Sequence, residues 1–277
     1  RAPAVLTVGA WGTQSALGLS KKPKIQRWRG TVSPVELPGG HTTTVLPTVH
    51  PAHVMRAPQW GPALEIDVAR LGRVLREAWA GPPEEREGHH IVIARDRATL
   101  HAELAQLLPG APIGFDVETV GLGPTQTALV CFALSDGART IVVPWSRSRD
   151  GTSPWWNGCA SKVADAVSDA LSTRITITHN GPAFDHIVAA RYGIRIAAWD
   201  DTMLAAHVLA SHMPKDLGHV VTMRHDVGPW KELEDRTADL PRLWVYNARD
   251  TLYTLMAWTH SITTAPPLSA ATRKAIR

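Results

Sequence analysis

Residues 113–119, IGFDVET, run apolar and then set two carboxylates, Asp116 and Glu118, one residue apart. In an extended chain, residues i and i+2 face the same side. These two acids therefore aim together, while Val117 turns the other way into a sheet. Two carboxylates about 4 Å apart repel by about 4 kcal/mol at an effective dielectric near 20. Such a pair is splayed into water, partly protonated, or neutralised by a cation. The stretch predicts a strand end that is either a solvated rim or one side of a metal site completed by acids from elsewhere.

The 277 residues, 44% hydrophobic and 19% charged, describe a globular chain with room for two domains. Cys131 and Cys159 form no CxxC pair, which excludes a disulfide framework or a four-cysteine metal site and predicts a reducing, cytoplasmic setting. No apolar run approaches the ~20 residues of a membrane span, so no membrane partner is expected. The opening residues lack the charged start of a signal peptide, and a first residue of Arg1 suggests a fragment of a longer polypeptide. Charge is unevenly spread. Residues 1–80 hold ten Lys and Arg against four acids, +6, which leaves −2 for the remainder of a chain whose net charge is +4. A basic front and a mildly acidic back predict two units with different tasks.

The boundary falls in AGPPEEREGHH, residues 80–90, where Pro, Gly and mixed charges interrupt the periodic apolar residues. The expected division is a domain at 1–80, a linker at 81–90, a domain at 91–265 and a linker at 266–277 toward a following domain. In the first domain AVLTVGAW reads as a strand and GTQSALGL as a turn into a short helix. TTTVLPTVHPAHVMR reads as a strand and then a loop. ALEIDVARLGRVLREAW reads as a helix with Leu64, Val68, Leu71 and Leu75 on its apolar face. In the second, HIVIA is a strand and Asp96 caps a helix that aligns Leu100, Leu104 and Leu107. IGFDVET, TALVCFALS and RTIVVPW are strands, the last two antiparallel across SDG. SKVADAVSDALS is helical, RITITHN is a strand, and the chain from AFDHIVAARYG onward is mainly helical. The fold class is α/β, with helices packed on a sheet.

Two later motifs supply further acids. HNGPAFD places Asp185 just inside a helix, and YNARD places Tyr246 and Asp250 one helical turn apart on one face. Four carboxylates and a phenol, without His or Cys, form the hard oxygen set preferred by Mg²⁺ or Mn²⁺. Two such ions can bridge a phosphodiester.

FDVET, HNGPAFD and YNARD, in that order, resemble the three motifs of a DEDD-class 3′–5′ exonuclease, the proofreading domain of family A DNA polymerases. The Y-x3-D form of the third is similar to the tyrosine branch. DDTMLAAHVLA and KDLGHVVTMRHDVGPWKE add to the likeness, which covers roughly residues 90–265. The resemblance implies a ribonuclease-H-like fold, two Mg²⁺ or Mn²⁺ ions, and release of nucleoside monophosphates from the 3′ ends of single-stranded DNA. It also implies a polymerase domain in the full-length protein. It implies that Asp116, Glu118 and Asp250 hold the ion that activates water, that Asp185 supports a second through water, and that Tyr246 orients the attacking water. Asn180, Leu122 and Thr119 would contact the terminal nucleotide, Leu122 as a wedge against its base. One departure is Ala183, where the family often has a lysine that contacts phosphate. Two alternatives stand beside this reading: a ribonuclease D-like RNA exonuclease, and a non-catalytic DNA-binding module. Metal-dependent turnover separates the second of them.

The basic stretch KKPKIQRWRG brings Lys21, Lys22, Lys24, Arg27 and Arg29 together, either as a solvated loop or as a set of phosphate contacts. VLTVGAWGTQSALG, KIQRWRGTV and TVLPTVHPAHVMR resemble the C-terminal half of iron–sulfur-type uracil-DNA glycosylases. That likeness would give His50 a contact to the uracil carbonyl and place Arg56 on the loop that enters DNA. The family's N-terminal half has no counterpart in residues 1–80, so no uracil excision is expected.

Overall fold

The computed structural model describes residues 3–77, 79–86, 88–233 and 239–264. The expected linker at 266–277 lies outside them. The chain forms two compact units, Arg1–Arg86 with Ala210–Glu232, and Glu87–Leu209 with Leu233–Arg277. The first therefore takes in a later segment that the motif order assigned to the second domain.

The first unit runs β1 (Ala4–Val8), α1 (Gly9–Leu17), α2 (Ile25–Trp28), β2 (Ser33–Leu37), β3 (His41–Thr48), α3 (Pro51–Arg56) and α4 (Gly61–Arg76). The second runs β4 (His90–Ile93), α5 (Arg97–Leu104), β5 (Ile113–Thr119), β6 (Leu129–Ser135), β7 (Arg139–Pro144), α6 (Ala160–Ser172), β8 (Ile175–Thr178), α7 (Asp185–Arg191), β9 (Ala198–Asp201) and α8 (Thr202–Leu209). The chain then contributes α9 (Leu217–Thr222) to the first unit and α10 (Leu240–Thr264) to the second. No helix among the described residues is long and apolar enough to cross a membrane.

In the first unit β3 is central, parallel to β1 and antiparallel to β2. Its local structure corrects the sequence reading in four places. The first strand ends at Val8 and α1 starts at Gly9, whose φ of +75° turns the chain. β2 was not anticipated. PAHVMR is helix α3 and not a loop, because Pro51 is preset for a first helical turn and His50 Nδ1 caps it by accepting the Ala52 N–H at 3.1 Å. Finally, α4 does not bury the expected leucine face, since Val68 and Leu75 are each half exposed. It buries Asp67 and Arg70 instead.

Those two residues anchor an ionic core. Arg29 forks onto both Asp67 oxygens, Arg70 Nη1 donates to Asp67 at 3.0 Å, and the Thr48 hydroxyl donates at 2.8 Å. Arg29 Nη1 reaches the Thr222 hydroxyl at 3.0 Å and Arg70 Nε reaches Asp226 at 2.6 Å, so the network holds the 210–232 segment in this unit. Arg29 thus leaves the basic stretch and is buried, whereas Lys21, Lys22, Lys24 and Arg27 are exposed. Gly30, with φ of +73°, makes the close packing possible, because a Cβ there would lie 2.8 Å from Arg70 Nη1.

The second unit is a mixed six-stranded sheet in the order β4-β7-β6-β5-β8-β9. β5, β6 and β7 form an antiparallel meander, with parallel pairs β4–β7, β5–β8 and β8–β9 outside it. The edge strand β9 interrupts a stretch whose sequence reads as mainly helical. Ile113, Phe115 and Val117 point to one face and share a core with Leu100, Leu104 and Leu107 and with Val163, Val167 and Leu171 of α6. Each such side chain, fully buried, contributes roughly 1.5–3 kcal/mol. The alternate positions of β5 face α10. At Gly114 a Cβ would meet the Thr251 carbonyl oxygen at 2.5 Å, so only glycine allows α10 to cross β5 this closely.

Candidate active site

That close crossing brings two motifs together. Asp116 and Glu118, on the α10-facing side of β5, meet Asp250 from α10, with one carboxylate oxygen of each within 4.8 Å of the others. A register shift between Glu118 and Thr119 ends the regular pairing of β5 with β6 at this point. Bulges of this kind re-aim side chains at sheet rims. Asn247, fully buried one turn before Asp250, fixes Asp116: its Nδ2 donates to Asp116 Oδ2 at 2.7 Å and to the Asp116 carbonyl at 3.3 Å.

Asp185 stands at the start of α7, 5% exposed, and its Oδ1 accepts the Val117 N–H at 3.0 Å. Burial pushes its pKa up to about 7, against the pull of the Val117 N–H, and the Asp201 and Asp250 carboxylates raise it further. Its position depends on the turn before it. Asp201, fully buried, accepts the Gly181, Met203 and Leu204 N–H groups, tying the 181–183 turn to the head of α8. Across the strand pair, Cys131 lies opposite Glu118. Burial and the Glu118 and Asp116 charges push its thiol well above the usual range, while Arg149 draws it back.

A cleft of about 380 Å³ opens beside the three acids, walled by Glu118, Thr119, Leu122, Arg149, Phe184 and Tyr246, among others. Tyr246 is buried to 5% exposure, whereas Leu122 is 75% exposed and projects as an apolar edge. The Thr119 hydroxyl donates to the Gly121 carbonyl at 2.8 Å and so shapes the loop carrying Leu122. Asn180 lies outside the cleft wall. With φ of +65° it makes the left-handed turn that ends β8. In the first unit His50 and Arg56 are both exposed, at the two ends of α3.

The donor set fits a hard divalent cation. An octahedral ion with metal–oxygen distances of about 2.1 Å holds its oxygens about 3.0–4.2 Å apart. Carboxylates already within 4.8 Å of one another need only rotamer-scale movement to reach that spacing.

Sequence reasoning missed three residues of this region. Asn247 carried a signal, because it sits inside YNARD three residues from Asp250 and so shares its helix face. Asp201 and Arg149 carried none. One acts from the end of β9, in a stretch that reads as mainly helical, the other from an irregular loop.

No family model matches the chain. It is 27% identical over 231 residues to DNA polymerase I of Rhizobium leguminosarum, covering 73% of this chain and 22% of that protein. The chain thus spans about a fifth of that relative's length. Similar solved structures include the catalytic core of RRP6 from Trypanosoma brucei, 17% identical over 88% of this chain and 64% of that one, with a TM-score of 0.48. RNase D of Escherichia coli, an exoribonuclease involved in structured RNA processing, is 16% identical over 63% of this chain and 44% of that one, with a TM-score of 0.48. NrnC of Brucella melitensis with bound Mg²⁺ is 16% identical over 63% of this chain and 79% of that one, with a TM-score of 0.44.

Proposed function

We propose that the second unit is a metal-dependent 3′–5′ exonuclease that hydrolyses phosphodiesters at the 3′ ends of single-stranded DNA and releases nucleoside monophosphates. The observation that carries this reading is the convergence of Asp116, Glu118 and Asp250 at the edge of a cleft that also holds Tyr246. The alignment with a DNA polymerase I favours DNA over RNA as the substrate and a polymerase context for the full-length protein.

Asp116, Glu118 and Asp250 would hold a Mg²⁺ or Mn²⁺ ion, and Asp185 would help Asp116 to hold a second. Bound there, such ions lower the pKa of water and offset charge on the leaving oxygen. Asn247 keeps Asp116 in a single orientation, which matters because misplacement of a ligand by about 1 Å costs orders of magnitude in rate. Tyr246 directs its hydroxyl at the attacking water. Leu122 separates the terminal base from the one before it, and Phe184 offers an apolar wall. Asn180 and Thr119 act by shaping the loops around the terminal nucleotide. For the first unit we assign no base excision. His50 caps α3 there, and any contact of His50 or Arg56 with DNA rests on sequence likeness alone.

Incubating the chain with a 5′-labelled single-stranded oligonucleotide and Mg²⁺ or Mn²⁺ tests the reading. A ladder that shortens from the 3′ end, stops with EDTA, is absent in Asp116→Ala and is slowed in Tyr246→Phe is expected. Equal activity in Asp116→Ala overturns the site.

A further inference from the structure

The cleft holds the terminal nucleotide, but a strand longer than that must leave it in some direction, and the second unit has a cationic path leading away. We propose that Arg149, Arg147 and Arg95 form a phosphate track for the single-stranded DNA immediately upstream of the terminal nucleotide. The proposal rests on the exonuclease reading for its substrate.

The track begins inside the cleft. Arg149 lines it together with Glu118 and Tyr246, and its Nε is buried with no hydrogen-bond partner among the described residues. The residue as a whole is half-buried, and a guanidinium in a cleft wall can offer its outer N–H groups to a phosphate oxygen. Ala183 replaces the lysine that the exonuclease resemblance leads one to expect, so a cation for the backbone has to come from another element.

Two further arginines lie on the segments next to this wall. Two residues back, the Arg147 guanidinium lies 4.9 Å from the Trp155 ring centre. Trp155 packs edge-on against Trp244 at 5.9 Å, and its indole N–H donates to the Arg95 carbonyl at 2.9 Å. The Arg95 guanidinium in turn lies 5.2 Å from the Trp244 ring. Trp244 follows Leu243, itself part of the cleft wall. Two exposed arginines are thus held against one aromatic pair, and stacking fixes each guanidinium plane while its outer N–H groups stay in water.

Two acids adjacent in sequence to these arginines, Asp150 and Asp96, are engaged in local hydrogen bonds. Asp150 accepts the Ser148 hydroxyl at 2.6 Å, the Thr152 hydroxyl at 2.8 Å and the Thr152 N–H at 3.1 Å, which holds its pKa at about 2. Asp96 accepts the Thr99 N–H and hydroxyl at 2.8 Å each as the cap of α5. The same bonds stiffen the 146–153 loop, with Ser146 donating to the Ser153 carbonyl at 2.9 Å. Pre-ordered cations next to an aromatic surface are the usual elements of a single-strand groove. Arginines that served only to pack the tryptophans would contribute nothing to salt dependence, and that difference can be measured.

The test is binding of a 5′-fluorescein octathymidylate to the full chain in EDTA over a range of salt, for wild type, Arg95→Gln/Arg147→Gln, and Arg97→Gln as an exposed-charge control. Each lost phosphate contact on a single strand should lower the slope of log affinity against log salt by about 0.7, so the double variant should lose about 1.4. Its affinity near 0.1 M salt should fall roughly ten-fold, and Arg97→Gln should keep the wild-type slope. With Mn²⁺ present, the ratio of kcat/KM for the octamer to that for a dinucleotide should fall by a similar factor. A double variant that melts like wild type and keeps the wild-type slope overturns the track. A reduced slope in a protein with no turnover retains the track and removes the exonuclease reading; turnover with an unaltered slope does the reverse.

Discussion

Asp67 of the first unit and Asp116 of the second are both carboxylates held at a junction of strand and helix, but their surroundings are of opposite kind. Asp67 sits between the guanidiniums of Arg29 and Arg70, with the Thr48 hydroxyl completing its shell. Asp116 sits within 4.8 Å of two other carboxylates and is steadied by an amide, the side chain of Asn247. The first arrangement satisfies a buried charge and fixes the position of a chain segment. The second gathers charge of one sign, which the fold sustains because the ladder of β5 and the close crossing at Gly114 hold the acids there. An acid whose position is fixed by cations is structural. Acids that converge from a strand and a helix, one of them oriented by an amide, form the donor set of a cation site.

If that contrast is right, the two units should respond to the same kind of substitution in different ways. The largest effect on stability is expected for Asp67→Ala, which leaves two buried guanidiniums facing each other. It should destabilise the first unit by about 3–5 kcal/mol, read by urea denaturation with hydrogen exchange to assign the loss to residues 3–77 and 210–232. A loss under about 1 kcal/mol would mean that the ionic core is dispensable.

The two units should also respond to pH with opposite sign. His219, 2% exposed against the edge of Trp60 at 5.3 Å, is lowered from 6.5 to about 4, chiefly by burial and next by the Arg29 charge. Its folded pKa lies below its unfolded one. Its contribution is therefore full above pH 6.5 and is lost as pH falls from there through about 4, at most about 3 kcal/mol. Asp185 is shifted the other way, from 3.8 to about 7, chiefly by burial. In metal-free protein its contribution is full below pH 3.8 and is lost as pH rises through about 7. Hydrogen exchange between pH 4 and 8 should show the first unit weakening toward acid and the second toward neutrality. His219→Leu should flatten the first trend and Asp185→Asn the second.

A smaller effect is expected at Asn247. Asn247→Ala frees the Asp116 carboxylate from its amide and should lower divalent-metal affinity by about 10–100-fold, the usual cost of removing a group that orients a ligand. Titration with Mn²⁺ measures it. An unchanged affinity would show that β5 alone orients Asp116.

The acids of the second unit were legible in the sequence because strand periodicity places residues 116 and 118 on one face and helix periodicity places 246 and 250 on another. Both are local rules. What the sequence did not reveal depends on long-range packing. Asp67 and Arg70 occupy helix positions at which periodicity favours neither burial nor exposure, and only the arrival of Arg29, Thr222 and Asp226 decides that they go inward. Val68 and Leu75 looked like core for the same reason and are half exposed. Gly114 looked like an ordinary strand residue, and its importance appears only once α10 crosses it. The 210–232 segment carries apolar residues suited to either unit, and its allegiance is set by two arginines more than 130 residues earlier.

The central claim is that Asp116, Glu118 and Asp250 make a cation site. Mn²⁺ binding, followed by electron paramagnetic resonance on wild type and on Asp116→Ala at equal folded fraction, tests it without any assumption about substrate. The account predicts saturable binding by wild type and a loss of at least about 100-fold in Asp116→Ala, with little change in the melting temperature. Equal Mn²⁺ affinity in the two proteins would contradict it and return the acid pair at the end of β5 to a solvated rim.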